Sequence, residues 1–317
     1  MMKIINVDNI TMDYSSRKKK FRALDNVSFN INQGDIVGII GSNGAGKSTL
    51  IKILTGVLKP TEGEVIVNEV IPWKGKKAFK KEIGIVFGQR SQLWWELPVI
   101  DSFRTHQVIY EKNSSYTNNF LDEFDKATGI KKLLDKPARQ LSLGQRMLCD
   151  IGLALYHKPK ILFLDEPTIG LDAGVKASIR FLIKEINQKY ETTFLLTSHD
   201  LMDIQETCTK VILLNKGEII YDNELTEFIQ KFDTQTVVSL IVKDKNDLDI
   251  LMQTKPLINA KYIRQNTLEG QIIFEKNKKQ LNVILKFISE NIDYEDITIN
   301  RISIEEIVKK VYTEGKV

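Results

Sequence analysis

Cysteine is nearly absent: Cys149 and Cys208 are the two thiols in 317 residues, far apart and in apolar surroundings. Such a pair excludes a disulfide framework and a cysteine-held metal centre, and predicts two reduced core thiols. Long apolar runs are missing as well. No stretch approaches the roughly 18 uninterrupted apolar residues needed to cross a bilayer, so a membrane span would have to come from another polypeptide. The N-terminal run Met1 to Asp8 meets an acid too early for a secretory leader, which predicts a cytosolic protein. Charge of one sign is lacking too: 45 basic residues face 41 acidic ones, a net +4. That imbalance is too weak to argue for nucleic acid. The one basic run, Arg17-Lys18-Lys19-Lys20, reads as a solvated hairpin tip, with contact to anionic lipid a minor option.

What the chain does have is apolar residues at 42% and charged residues at 27%, the profile of a folded globular protein. Its length exceeds what a single core usually holds, which predicts two domains. The most informative stretch is Gly41-Ser42-Asn43-Gly44-Ala45-Gly46-Lys47-Ser48-Thr49. It follows the apolar run Ile36–Ile40 and precedes Leu50–Leu54, whose apolar residues suit one helix face. Strand, glycine loop and helix form the context that a phosphate-binding G-x-x-x-x-G-K-[ST] loop requires. Glycines let backbone N–H groups converge on phosphate oxygens at the positive end of a helix. Lys47 then reaches the β- and γ-phosphates, and the Ser48 hydroxyl is placed to ligate Mg²⁺.

Further along, Ile161–Leu164 reads as a buried parallel strand delivering Asp165 and Glu166 at its C-terminal edge, where ligands sit in open α/β sheets. Phosphate-bound Mg²⁺ needs a carboxylate opposite the loop serine, a role for Asp165. Glu166, one residue on, suits a general base that polarises the attacking water. Thr193–Thr197 reads as a second buried strand, ending at His199. Strands and helices alternate over about the first 230 residues, which predicts a mostly parallel sheet covered by helices. Between them, 3–8, 26–32 and 64–67 read as further strands, residues 80–87 as a short strand, and 101–136 as helical. Trp94 and Trp95 cannot both face one core, so at least one is expected at the surface or against a partner. After residue 233 the pattern becomes β-α-β-β-α-β plus a last helix capped by Ser303, without histidine or cysteine: a split-βαβ module for regulation or assembly.

Taken together, residues 3–232 resemble the nucleotide-binding subunit of an ATP-binding cassette (ABC) transporter. Gly41–Thr49 matches its Walker A motif and Ile161–Glu166 its Walker B. Leu141-Ser142-Leu143-Gly144-Gln145 matches the signature, Gln89 the Q-loop, Ile169–Asp172 the D-loop and His199 the switch histidine. Tyr14 stands where the family stacks an aromatic on adenine. The resemblance implies an ATPase with ATP and Mg²⁺ as cofactors. Lys47, Glu166 and His199 would be catalytic, and Ser48, Gln89 and Asp165 would surround the metal. Ser142, Leu143, Gly144 and Gln145 would complete the site of a second copy, with Asp172 beside them. The signature departs from the family at Leu143, where glycine is usual, while Ser142 and Gly144 are kept.

The implied fold is α/β: a P-loop ATPase core with an antiparallel β subdomain and a helical subdomain over about 90–160, all within 1–232. A small ferredoxin-like α+β domain over 233–317 follows. The implied partners are a second ATPase subunit, as a homodimer or a heterodimer with a paralogue, and separate integral membrane permeases holding the chain at the inner face of the membrane. Residues 89–98 and the C-terminal domain resemble an export-type branch that works with ABC-2 class permeases, with Trp94 and Trp95 as the permease contact. A soluble ABC ATPase acting on nucleic acid or ribosomes is the alternative. It lacks support in the sequence, which has neither long heptad repeats between the Walker motifs nor a second cassette. A P-loop kinase leaves the signature and His199 without a role.

Overall fold

The computed structural model describes residues 2–15, 20–75, 77–88, 90–198, 200–232, 234–301 and 304–314. Gln89, His199, Arg17–Lys19 and Ser303 lie outside the described residues. The chain divides into two units, the first ending at Leu225 and the second covering Thr226–Glu314.

In the first unit, β1 (Lys3–Ser15) and β2 (Lys20–Asn32) form a long antiparallel hairpin. They run well beyond the expected 3–8 and 26–32. The apolar alternation breaks where Asn9 and Asn26 take positive φ and the register shifts. Asparagine tolerates that left-handed conformation, so the strands continue through bulges that a strict two-residue period does not detect. After β3 (Ile36–Gly41) and α1 (Lys47–Leu54), β4 (Glu62–Val67) joins β1 to give a three-stranded antiparallel sheet in the order β2-β1-β4. Next come α2 (Lys77–Glu82) and β5 (Ile83–Phe87). The helix replaces the start of the strand expected from residue 80. Ala78, Lys80, Lys81 and Glu82 are good helix formers, Phe79 is buried, and the β-branched run begins only at Ile83.

Helices α3 (Val99–Ile109), α4 (Ser114–Thr128) and α5 (Leu143–Leu155) then build the helical part. The chain returns through β6 (Ile161–Asp165), α6 (Ala173–Tyr190), β7 (Thr193–Thr197), α7 (Leu201–Thr207), β8 (Lys210–Asn215) and β9 (Glu218–Glu224). The main sheet has the order β5-β6-β7-β3-β8-β9, parallel except for β9. Its central strands are buried along nearly their whole length, as helices on both faces require. Cys149 and Cys208 are free, buried thiols, and burial pushes Cys149 up to about 12. The exposed residues of the Trp94–Trp95 pair are both of them, each about half accessible.

The second unit takes in most of α8 (Leu225–Phe232), which the expected boundary at 232 had placed with the first. It continues with β10 (Gln235–Val242), α9 (Lys245–Thr254), β11 (Lys261–Arg264), β12 (Glu269–Glu275), α10 (Lys278–Asn291), β13 (Tyr294–Arg301) and α11 (Ile304–Glu314). The sheet is antiparallel in the order β11-β12-β10-β13, the ferredoxin-like arrangement the split-βαβ pattern predicts. Leu248 and Leu251 of α9 and Ile284 and Ile288 of α10 bury one side of each helix in a core shared with the sheet.

Candidate nucleotide site

Parallel strands bring their C-terminal ends to one edge, and the candidate residues collect there. The loop after β3 turns through Gly44 and Gly46, both at positive φ. At Gly46 even a Cβ would meet the Ala23 carbonyl at 2.6 Å and Leu24 at 2.7 Å, so the close approach of this loop to β2 requires glycine. Lys47 opens α1 and is buried. Its Nζ donates to the carbonyls of Gly41 (2.7 Å) and Ser42 (3.3 Å), which folds the side chain over the loop. Burial holds this amine below the ordinary lysine range, while Glu166 and then Asp165 act in the opposite direction. A cation that is partly desolvated and faced by two carboxylates suits a polyanionic ligand bound with a metal.

Ser48, Lys52, Phe87, Gly88, Asp165 and Glu166 line a cleft of about 420 Å³. The cleft therefore joins the glycine loop to the acidic end of β6, as the sequence predicts for Ser48 and Asp165. Its acids are set by a residue the sequence reading passed over. Thr197, at the end of β7, donates from Oγ1 to Asp165 Oδ1 (2.7 Å) and accepts at the same oxygen from the Glu166 N–H (2.9 Å). The Glu166 N–H also reaches the Thr197 carbonyl (3.1 Å). These contacts hold Glu166 at φ +56°, a left-handed conformation that costs a residue with a side chain about 1 kcal/mol or more. Gly88 is the second omission. Its N–H donates to the Asp165 carbonyl, and a Cβ there would lie 2.4 Å from the Glu166 carbonyl. The signal was a glycine directly after a buried strand.

Tyr14 lies near the end of β1, 38% exposed, with its hydroxyl 3.4 Å from Thr49 Oγ1. The ring thus stands beside the first turn of α1 with area left to cover a base. The signature forms a separate station. Ser142 caps α5 in a reciprocal box: its side chain accepts from the Gln145 N–H, and the Gln145 side chain accepts from the Ser142 N–H. Gly144 is buried, and a Cβ there would strike Val175 of α6 at 2.7 Å. Leu143 is 43% exposed and lies against Gly170. Asp172 caps α6 by accepting from the Val175 N–H.

Three comparisons bear on identity. The ABC transporter family model matches residues 24–169, from β2 through the Walker B acids. A methionine import ATP-binding protein of Oenococcus oeni is 31% identical over 309 residues, covering 92% of this chain and 87% of its own length. The ABC transporter ATP-binding protein NatA of Bacillus subtilis is 29% identical over 222 residues, or 70% of this chain and 90% of its own. Among solved structures, a dimeric ATP-binding cassette in a post-hydrolysis state bound to ADP and Pi superposes with a TM-score of 0.63. It is 27% identical and covers 70% of this chain and 98% of that one. The relatives with names that state a direction are import proteins, which corrects the export-type, ABC-2 expectation. The nucleotide motifs are shared by both directions, and a small split-βαβ domain is a fold used for many purposes, so neither fixes direction. The loop, the acids and the signature, together with these relatives, place the chain: it belongs to the ATP-binding, ATP-hydrolysing subunits of ABC transporters.

Proposed function

We propose that this chain powers import of a small solute of the methionine class, through separate membrane permeases, by closing on a second ATPase subunit around ATP. The observation that carries the import reading is the extent of the methionine import relative, which matches both units rather than the cassette alone. Within the site, Tyr14 stacks on adenine and the Gly41–Thr49 loop with Lys47 holds the phosphates. Ser48, Gln89 and Asp165 hold Mg²⁺, which when bound neutralises developing phosphate charge. Glu166 orients the attacking water and His199 contacts the γ-phosphate. Ser142, Leu143, Gly144 and Gln145 close the site of the facing subunit, homodimeric or paralogous, with Asp172 beside them. Dimeric cassettes among the structural relatives support this arrangement.

No helix among the described residues is long and apolar enough to cross a membrane, so the permease would hold the chain at the inner face. Trp94 and Trp95, about half exposed, are the surface we assign to that contact. The test is uptake of labelled methionine by cells carrying the intact chain or Lys47→Ala. Uptake that collapses in the variant supports the reading, and unchanged uptake overturns it.

A further inference from the structure

Helix α5 does more than present the signature. Two turns beyond Ser142, Asp150 is almost fully buried. Its Oδ1 accepts from the Gln92 N–H (2.8 Å) and from Ser91 Oγ (3.1 Å), and Ser91 Oγ in turn accepts from the Leu93 N–H (3.2 Å). One turn nearer the signature, the Arg146 guanidinium lies 4.4 Å from the centre of the Trp95 ring. The far side of the same segment is held by the chain leading into the signature. The Arg139 N–H donates to the Trp95 carbonyl, the Ala138 N–H donates to the Leu97 carbonyl, and Arg139 pairs with Glu96. The tryptophan segment is thus gripped by α5 and its lead-in.

We propose that Asp150 is a positioning residue that fastens the Trp94–Trp95 surface to the signature helix. Closure of the signature over nucleotide and presentation of the tryptophans are then one movement. The second half of this statement rests on the assignment of Trp94 and Trp95 as the permease contact. The fastening does not.

A carboxylate is the group that suits the task. It alone among side chains of this size accepts several convergent donors while pulling on a guanidinium one turn away. Burial pushes the carboxyl up to about 6, and the Gln92, Ser91 and Leu93 donors, with Arg146, pull it back down. Those donors favour the ionised form, but burial outweighs them, so the folded arrangement holds the proton more tightly than a carboxyl in water does. The charged group facing Asp150 is Arg146 on its own helix, and the 91–93 segment presents only neutral donors. Its neighbour Cys149 stays a neutral thiol.

The test uses the full-length chain with Trp73→Phe, which leaves Trp94 and Trp95 as the emitting tryptophans. Iodide quenching and emission anisotropy are followed from about pH 8 to about pH 5. With Asp150 intact, quenching rises and anisotropy falls as pH rises, with a midpoint at about 6, because release of the segment lets the buried carboxylate reach water. In Asp150→Asn, which keeps an acceptor oxygen and cannot ionise, that transition is lost and the tryptophans stay shielded across the range, while ATP binding is retained. Histidine titrations persist in both proteins and so separate from it. The same transition in Asp150→Asn overturns the proposal, as does a flat profile with Asp150 intact. Asp150→Ala is the harsher variant. Failure of the near-isosteric Asn variant to fold would make Asp150 a folding residue and overturn the positioning role. Should Trp94→Ala/Trp95→Ala leave assembly with the permease intact while the quenching result stands, the contact assignment fails and the fastening survives.

Discussion

Thr197 shows how one hydroxyl sets two acids at once. It donates to the Asp165 carboxylate and accepts from the Glu166 backbone, so the residues we propose as metal ligand and water-orienting group are held by the same atom. Thr197→Val keeps the shape and removes both bonds. Hydrolysis is expected to fall by about tenfold, the kinetic equivalent of one or two hydrogen bonds of roughly 1 kcal/mol each, with ATP affinity little changed. A steady-state ATPase assay checks it, and an unaltered kcat would remove Thr197 from the site. Asp150 gives a pH prediction at the same scale. Its carboxyl lies near 3.8 when unfolded and at about 6 in the native chain. The folded state therefore binds the proton more tightly, and the stability this contributes is full below about 4 and is lost as pH rises through about 6. Relative to Asp150→Asn, the parent chain should lose stability over that window, as urea unfolding at its two ends measures. Residues defined by spacing along the chain, such as Gly46, Lys47 and Asp165, were legible in the sequence. Thr197 and Gly88 were not, because their roles arise from the pairing of β6 with β7 and from the approach of Gly88 to the Walker B backbone.

At the scale of elements, a buried cluster links the loop after β6 to the start of α7. Asp203 Oδ2 accepts from Thr168 and Ser198, and its other oxygen pairs with Arg180 of α6 at 2.7 Å. Both charges are largely out of water, with Asp203 nearly fully so. Asp203→Ala would leave the Arg180 guanidinium paired with Glu206 and the Thr168 hydroxyl without the acceptor it has here, while Ser198 keeps the Asp200 carbonyl. Removing one member of such a pair costs about 3–5 kcal/mol, read as a shift in the chemical-denaturation midpoint. Preserved stability would show that the cluster is solvated. The helix and strand order was readable because apolar periods survive over whole elements. The failures have local causes. Asparagine bulges interrupt the alternation of β1 and β2, and a run of helix formers before Ile83 produces α2 where a strand was expected.

For the whole molecule, the ATP-binding unit and the ferredoxin-like unit follow from two separate hydrophobic patterns, and the mostly parallel main sheet and the antiparallel sheet of the second unit agree with the sequence expectation. Transport direction was not legible, since it depends on the permease and leaves no mark on the phosphate chemistry. The glycine loop and the signature lie on different elements of the chain, and in the proposed dimer a facing subunit brings its signature to each nucleotide. Glu166→Gln preserves side-chain shape while removing the proposed base, and should slow hydrolysis by about 10²- to 10⁴-fold. Sedimentation velocity of that variant, with and without saturating Mg-ATP, measures the central claim directly. The account predicts a monomer without nucleotide that converts to a dimer with ATP, and reverts when Ser142 is also changed to a bulky residue. A chain that binds ATP and stays monomeric at every concentration would contradict it.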